Sequence, residues 1–148
     1  MEKINFKIDL EIITHKDVKE HPFVNISING YPQFGEILEK STVVDIDVEI
    51  QQDTDNFLTI EYMNKDPEND VIFNETSILK DKRVEIKNIS INDIALDYFS
   101  FENKDTLTYE SLDGKEKHTG FEATKLSWNG RTTLKFTTPV YIWILENL

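Results

Sequence analysis

Two short acidic segments contain the side chains of this sequence that are best suited to binding a metal ion. The first has Asp53 and Asp55, and the second has Asp66, Glu68 and Asp70. Carboxylate oxygens at alternating positions are ligands that Ca²⁺ prefers, although neither segment has the glycine and closing glutamate of an EF-hand loop. Solvated turns in an acidic protein explain the same residues. We therefore expect no cofactor and keep calcium as an alternative.

Residues that could catalyse a reaction are few. The chain has no cysteine, so a nucleophile would have to be a Ser, Thr or Lys activated by a neighbouring base. The three histidines, His15, His21 and His118, lie in polar segments that we expect to be loops on the protein surface. The sequence lacks the GxSxG, GxxxxGK[ST] and HExxH motifs. We therefore do not expect an enzyme.

The charge of the chain disfavours a nucleic-acid partner. Its 148 residues include 28 acidic and 16 basic side chains, which gives a net charge of −12. Affinity for nucleic acids depends on Lys and Arg residues that neutralise phosphates. A basic amphipathic helix and an apolar run of about 20 residues are both absent, so we expect no membrane partner. The N-terminal MEKINFKIDL alternates polar and apolar residues, unlike a signal peptide, which predicts synthesis in the cytoplasm without export.

Apolar and polar residues alternate through the first half, which predicts strands with one buried face. The predicted strands are residues 4–12, 24–28, 44–50 and 57–63. Only the short turn QDTDN separates the last two, so we expect them to form a hairpin. The segment FGEILEKS, residues 34–41, is compatible with a short helix.

The second half alternates in the same way, with one break. The apolar positions change parity between Ile86 and Ile89, and a β-bulge near Lys87 and Asn88 would restore a common buried face. Further strands are predicted at 95–101, 106–110, 122–128 and 132–137. Because the connections are too short for crossover helices, we predict an all-β fold: one antiparallel, two-sheet, jelly-roll-like β-sandwich over residues 1–148.

The chain closes on a strongly apolar segment, TTPVYIWILENL. Thr138 as N-cap and Pro139 at the first position predict a short C-terminal helix, with a last strand as the alternative. Helical spacing would place four side chains on one face: Tyr141, Ile144, Leu145 and Leu148.

Such an apolar tail must cover either the core of the domain or a partner. We expect it to dock on the core, with Trp143 or Tyr141 largely buried. In the alternative, Tyr141, Trp143 and Leu148 are candidate contacts with a partner protein.

Trp128 offers a similar choice, because it precedes the turn residues Asn129 and Gly130 at the edge of a predicted strand. An exposed ring there could stack on a sugar, whereas a large ring beside a hairpin is more often packed. We expect core packing and keep a glycan site as the alternative.

The second half contains three stretches in a characteristic order: LTIEYMNKDPENDVIF, KDKRVEIKNISINDIALDYF and LSWNGRTTLKFTTPVYIWILENL. Together they resemble a β-sandwich module of structural proteins in tailed bacteriophages, particularly phages of marine bacteria and cyanobacteria. The resemblance extends from Phe57 to Leu148, and the closing stretch is its most specific part. It implies a fold similar to carbohydrate-binding modules, no catalytic residues, and a place in the virion.

We therefore expect a non-enzymatic virion protein, such as a capsid decoration, neck, tail or fibre component. It would contact other virion proteins and be present in many copies or as a homo-oligomer, with an acidic surface that maintains solubility. The alternative is a carbohydrate-binding module, with or without calcium, that attaches the virion to host glycans. An exposed apolar patch would favour the first function, and exposed aromatic rings over a groove would favour the second.

Overall fold

The computed structural model describes residues 1–66, 70–73, 78–96 and 104–147, which form mainly β-strands. Within these residues the helical elements are one α-helix, α1 (Val140–Asn147), and two 3₁₀ helices, Lys104–Thr106 and Gly120–Thr124. The strands are β1 (Glu2–Thr14), β2 (Phe23–Ile28), β3 (Tyr31–Ile37), β4 (Thr42–Ile50), β5 (Asp55–Tyr62), β6 (Ile72–Phe73), β7 (Ile78–Lys80), β8 (Lys82–Ile91), β9 (Ile94–Ala95), β10 (Leu107–Ser111), β11 (Lys117–Thr119), β12 (Lys125–Leu126) and β13 (Gly130–Thr137).

The strands are arranged in two antiparallel sheets whose inner faces share one hydrophobic core. Sheet A has the order β12-β8-β1-β4, with β9 paired to β8, and sheet B has the order β11-β10-β13-β5-β2-β3. Strands β6 and β7 form a separate two-stranded ribbon. The prediction of an all-β, two-sheet antiparallel sandwich is confirmed.

The predicted β-bulge is present in β8, opposite β1. Leu10 pairs with Ile86, and the preceding residue Asp9 pairs with Asn88. Lys87 is therefore the extra residue, and its side chain is exposed. The apolar residues before and after the bulge are all buried on the inner face of sheet A, as the change of parity predicts.

The predicted hairpin of residues 44–50 and 57–63 is wrong, although both strands exist. Strand β4 pairs with β1 in sheet A, whereas β5 pairs with β2 and β13 in sheet B. The QDTDN turn therefore crosses between the sheets, and Asp53 in this turn has a positive φ of 54°. Alternation identifies the buried face of a strand but does not identify its neighbours.

Two further predictions of local structure are also wrong. Residues 34–37 extend β3 instead of starting a helix, because they continue the pairing with β2 as far as Phe23 and Ile37. Residues 122–128 form the end of a 3₁₀ helix and the two-residue strand β12. Of the strand predicted at 95–101, Ala95 belongs to β9, and residues 97–101 lie outside the described residues.

Candidate functional site

Helix α1 packs against the end of the sandwich where β1 begins and β13 ends. Trp143 is only 5% exposed, and its ring meets the ring of Phe136 edge to face, with centroids 6.2 Å apart. Phe136 in turn contacts Phe6 of β1 edge to face, at 5.5 Å. These three rings join the helix to both sheets. The expectation that the tail docks on the core with Trp143 buried is confirmed, so Trp143 is not available as a partner contact.

The start of α1 is stabilised by a residue that the sequence pattern did not identify. The backbone N–H of Val140 donates a hydrogen bond to Oε2 of Glu2, at 3.0 Å. A carboxylate at this position also interacts favourably with the positive end of the helix dipole. Glu2 is 138 positions away in the sequence, so only the folded chain shows this cap.

Thr138 does not cap the helix as predicted. Its hydroxyl donates to the carbonyl of Gln51, at 2.7 Å, and accepts the N–H of Thr54, at 3.2 Å. Thr138 thus attaches the chain before α1 to the turn between β4 and β5. The carbonyl of Pro139 accepts the N–H of Trp143, at 3.3 Å, so the helix itself begins one residue later than predicted.

The outer side of α1 is apolar and exposed to solvent. Tyr141 is 55% exposed, Ile142 is 53% exposed and Leu145 is 81% exposed. These three residues are called the α1 outer face below. The buried side consists of Val140, Trp143 and Ile144, so the predicted shared face was wrong for Tyr141 and Leu145; Leu148 lies outside the described residues.

Trp128 lies between the core and the surface, at the edge of a shallow cleft. Its carbonyl accepts a hydrogen bond from the buried Tyr109 hydroxyl, at 3.1 Å, and its side chain is half-buried. The Lys65 ammonium lies over the ring, 4.9 Å from its centroid. The cleft has a volume of about 460 Å³, and its lining includes Trp128, Leu112, Asp113, Lys115 and Glu116.

In the second acidic segment, Asp70 already has partners within the chain. The Asp70 side chain is buried, and its Oδ2 accepts the Lys82 ammonium, at 3.2 Å, and the Asp66 N–H, at 2.7 Å. Asp66 itself is exposed, and Glu68 lies outside the described residues.

The first acidic segment is an exposed turn. Asp53 lies within it and Asp55 begins β5, and both side chains are exposed. Within the described part of the chain, no three acidic or His side chains come together as a metal site would require.

At the end of the sandwich opposite α1, four charged side chains form two buried ion pairs. Lys82 pairs with Asp70, and the two side chains are 1% and 4% exposed. Lys65 pairs with Asp81, at 2.5 Å, and these side chains are 2% and 10% exposed. We call these four residues the buried charge cluster. Burying ions costs several kcal/mol each, and the pairing and hydrogen bonds found here offset part of this cost.

Both lysines also donate hydrogen bonds to backbone carbonyl groups. The Lys82 ammonium also donates to the carbonyl of Asn64, at 2.9 Å, and the Lys65 ammonium donates to the carbonyl of Ser127. The hydroxyl of Tyr62 donates to the carbonyl of Lys82, at 3.0 Å, inside the core. Burial raises the pKa of Tyr62, and the negative charges of Asp70 and Asp81 add to this effect.

The histidines have structural contacts. His15 accepts the Asp17 N–H on Nδ1, at 3.1 Å, so its Nε2 carries the proton and donates to the carbonyl of Asp70, at 3.0 Å. His118 lies in β11, not in a loop, and stacks on the ring of Tyr109 with centroids 5.7 Å apart. The backbone carbonyl of His21 accepts a hydrogen bond from the Asn64 amide, whereas its ring Nδ1 is buried and makes no hydrogen bond with the described residues.

Comparison of the chain with family models, curated proteins and solved structures finds no match. In the described residues, no helix is long and apolar enough to cross a lipid bilayer.

Proposed function

We propose that the protein is a non-enzymatic structural or accessory protein of a tailed-phage virion, which contacts neighbouring virion proteins through the α1 outer face. The observation that supports this proposal is the exposure of Tyr141, Ile142 and Leu145 on one side of a helix whose other side is fixed to the core. Adjacent exposed apolar side chains on a rigid element are typical of a protein–protein contact.

The resemblance of residues 57–148 to phage structural modules connects this contact with a virion. Its most specific stretch, LSWNGRTTLKFTTPVYIWILENL, contains all of α1. The same segment therefore supplies both the resemblance and the exposed apolar face.

Charge indicates what kind of surface the α1 outer face contacts. The chain has a net charge of −12, and Glu146 lies next to Leu145 on the helix. An apolar surface bordered by Lys or Arg would complement it, whereas two copies meeting at this face would bring like charges together. Many copies would then bind separately to a common scaffold, and their acidic surfaces would repel one another.

The proposal is tested with the double substitution Tyr141→Ser and Leu145→Ser. Both side chains are exposed, so the variant should fold and melt like the wild type while its co-sedimentation with purified particles of the source phage falls at least about tenfold. The matched control is Tyr31→Ser, because Tyr31 is 73% exposed but lies in β3. Retained binding by the double variant, or absence of the chain from purified particles, would contradict the proposal.

Glycan binding is a second candidate, supported by the position of Trp128. Its half-buried ring lines the cleft together with the polar residues Asp113, Lys115 and Glu116. The buried Lys65 covers one face of the ring, so a sugar would have to stack on the exposed part of the ring. The carboxylates beside the ring could accept hydrogen bonds from the hydroxyls of the sugar.

This second candidate is tested by the fluorescence of Trp128. Substituting Trp143 with Phe leaves Trp128 as the single tryptophan. Titration with oligosaccharides of the host surface should then shift its emission, and Trp128→Ala should abolish binding in a glycan-array assay. Binding that persists in Trp128→Ala, or the absence of binding by the wild type, would argue against this site.

A further inference from the structure

One of the two buried ion pairs has a geometry that permits a covalent reaction. The Lys65 ammonium nitrogen lies 2.5 Å from Oδ1 of Asp81, and the two side chains are 2% and 10% exposed. Lys65 follows β5 of sheet B, and Asp81 immediately precedes β8 of sheet A. We propose that Lys65 and Asp81 condense to an intramolecular isopeptide bond that links the two sheets.

The surroundings of Lys65 favour its reactive form. An amine is nucleophilic only when it is neutral, and burial favours the neutral form of lysine. Burial is the main influence on Lys65 and lowers its pKa, although Asp81 and Asp70 partly oppose the effect. The Trp128 ring, 4.9 Å from the nitrogen, attracts the ammonium form and therefore also acts against the effect of burial.

The surroundings of Asp81 favour attack at its carboxyl carbon. The backbone N–H of Lys82 donates to Oδ1, at 2.7 Å, and the Arg83 guanidinium approaches Oδ2, at 3.7 Å. Such donors stabilise negative charge on the carboxyl oxygens when a tetrahedral intermediate forms.

The reaction needs no other reactant. A proton passes from the Lys65 ammonium to the Asp81 carboxylate, which gives a neutral amine and a carboxylic acid. The amine nitrogen then bonds to Cγ of Asp81, the bond from Cγ to the hydroxyl oxygen breaks, and the hydroxyl leaves with a proton from the nitrogen as water. No atom is oxidised or reduced.

Two physical effects favour the amide in the folded protein. Holding the two groups side by side speeds their reaction, since well-oriented intramolecular reactions reach effective molarities of about 10⁵–10⁸ M. Condensation also removes two buried charges, and the desolvation of those charges is unfavourable. Lys82 and Asp70 remain as a neutral pair, and Arg83 keeps Glu85 as its partner, at 3.3 Å.

The test is the intact mass of the purified, folded wild-type chain. We expect it to be lower than the sequence mass by one water, about 18 Da, and a tryptic digest to contain a branched peptide joining Lys65 to Asp81. A wild-type chain with the full sequence mass would overturn the proposal. This measurement depends neither on a variant nor on any partner in a particle.

Substitutions identify the source of any mass loss. Lys65→Arg keeps the charge but cannot form the amide, so it should have the full mass, while Lys7→Met, which removes an exposed ion pair with Asp93, should still show the loss. Dehydration at Asp113-Gly114 would give the same mass change, so a loss that persists in Lys65→Arg would also overturn the proposal. Lys65→Arg should melt about 5–10 °C below the wild type, because the link closes the loop between residues 65 and 81.

Discussion

The two ends of the sandwich depart from ordinary globular structure in opposite ways. At one end α1 exposes apolar side chains, among them Leu145, which is 81% exposed. At the other end the buried charge cluster places Lys82, 1% exposed, in the protein interior. Strand β1 reaches both ends, since Glu2 caps α1 and His15, just after the strand, binds the carbonyl of Asp70.

The two ends differ in whether their unusual side chains have complements within the chain. Each lysine of the buried charge cluster has an aspartate and a backbone carbonyl as partners within the chain. The α1 outer face has no such complement among the described residues, because its side chains point away from the core that holds Trp143. We therefore expect changes at the cluster to alter stability, and changes on the α1 outer face to alter association.

The largest effect should follow from truncation before Pro139, which removes the buried side of α1 together with its outer face. Val140, Trp143 and Ile144 each contribute about 1.5–3 kcal/mol by burial, a large part of the 5–15 kcal/mol typical of a domain. We expect the truncated chain to be insoluble when expressed. A soluble truncated chain that melts cooperatively would show that α1 serves only as a contact.

Substitution of Lys82 with Met tests the opposite end. It leaves the Asp70 carboxylate buried without its ammonium partner, which should lower the free energy of unfolding by about 3–5 kcal/mol. Urea denaturation measures the change, and Lys7→Met serves as control because its pair with Asp93 is exposed and should matter little. Equal losses in the two variants would mean that burial of the cluster has no special effect.

The sequence contains a signal for the buried lysine that the strand prediction did not use. Val84 and Ile86 face inward in β8, and the same parity extended by two residues places Lys82 inward as well. The prediction for this strand used only its apolar positions and assigned no face to Lys82. No comparable signal exists for the partners, since Lys65 and Asp70 approach Asp81 and Lys82 only when the two sheets pack together.

Elsewhere in the chain, too, local features could be predicted from the sequence and nonlocal features could not. The bulge at Lys87 was predictable because it changes the parity of neighbouring residues, whereas the pairing of β4 with β1 depends on a strand some 40 residues away. The buried side of α1 could not be chosen from spacing alone. Every residue from Val140 to Leu145 is apolar or aromatic, so several faces of the helix fit the core equally well.

A smaller effect is expected from Tyr62→Phe, which removes one hydrogen bond next to the buried charge cluster. The loss of the bond to the Lys82 carbonyl should cost about 0.5–1.5 kcal/mol at neutral pH. Because burial raises the pKa of Tyr62 above 10, the folded chain retains a proton that the unfolded chain loses, and the wild type loses stability as the pH rises past 10.

The variant should therefore lose less stability than the wild type between neutral pH and alkaline pH. Tyr31→Phe is the matched control, because it removes a tyrosine hydroxyl from a side chain that is 73% exposed. Urea titrations at neutral pH and above pH 10 would measure the difference. If Tyr62→Phe loses as much stability at alkaline pH as the wild type does, the pH effect belongs to another group.

The smallest effect should be that of removing calcium, and it separates the two proposed functions. Asp70 already binds the Lys82 ammonium, and a cation beside it would have to displace that partner. Asp53 in the turn and Asp55 at the start of β5 are both exposed, and their two carboxylates would supply at most about four of the six to eight oxygen ligands that Ca²⁺ takes. A ligand that binds the folded chain raises its melting temperature. Because we expect neither acidic segment to form a complete calcium site, a chelator should change the thermal midpoint by no more than about one or two degrees. Melting curves with excess calcium and with excess chelator measure this directly. A clear drop with chelator would mean that an acidic segment binds the ion after all, and would favour glycan attachment assisted by calcium over binding through the α1 outer face.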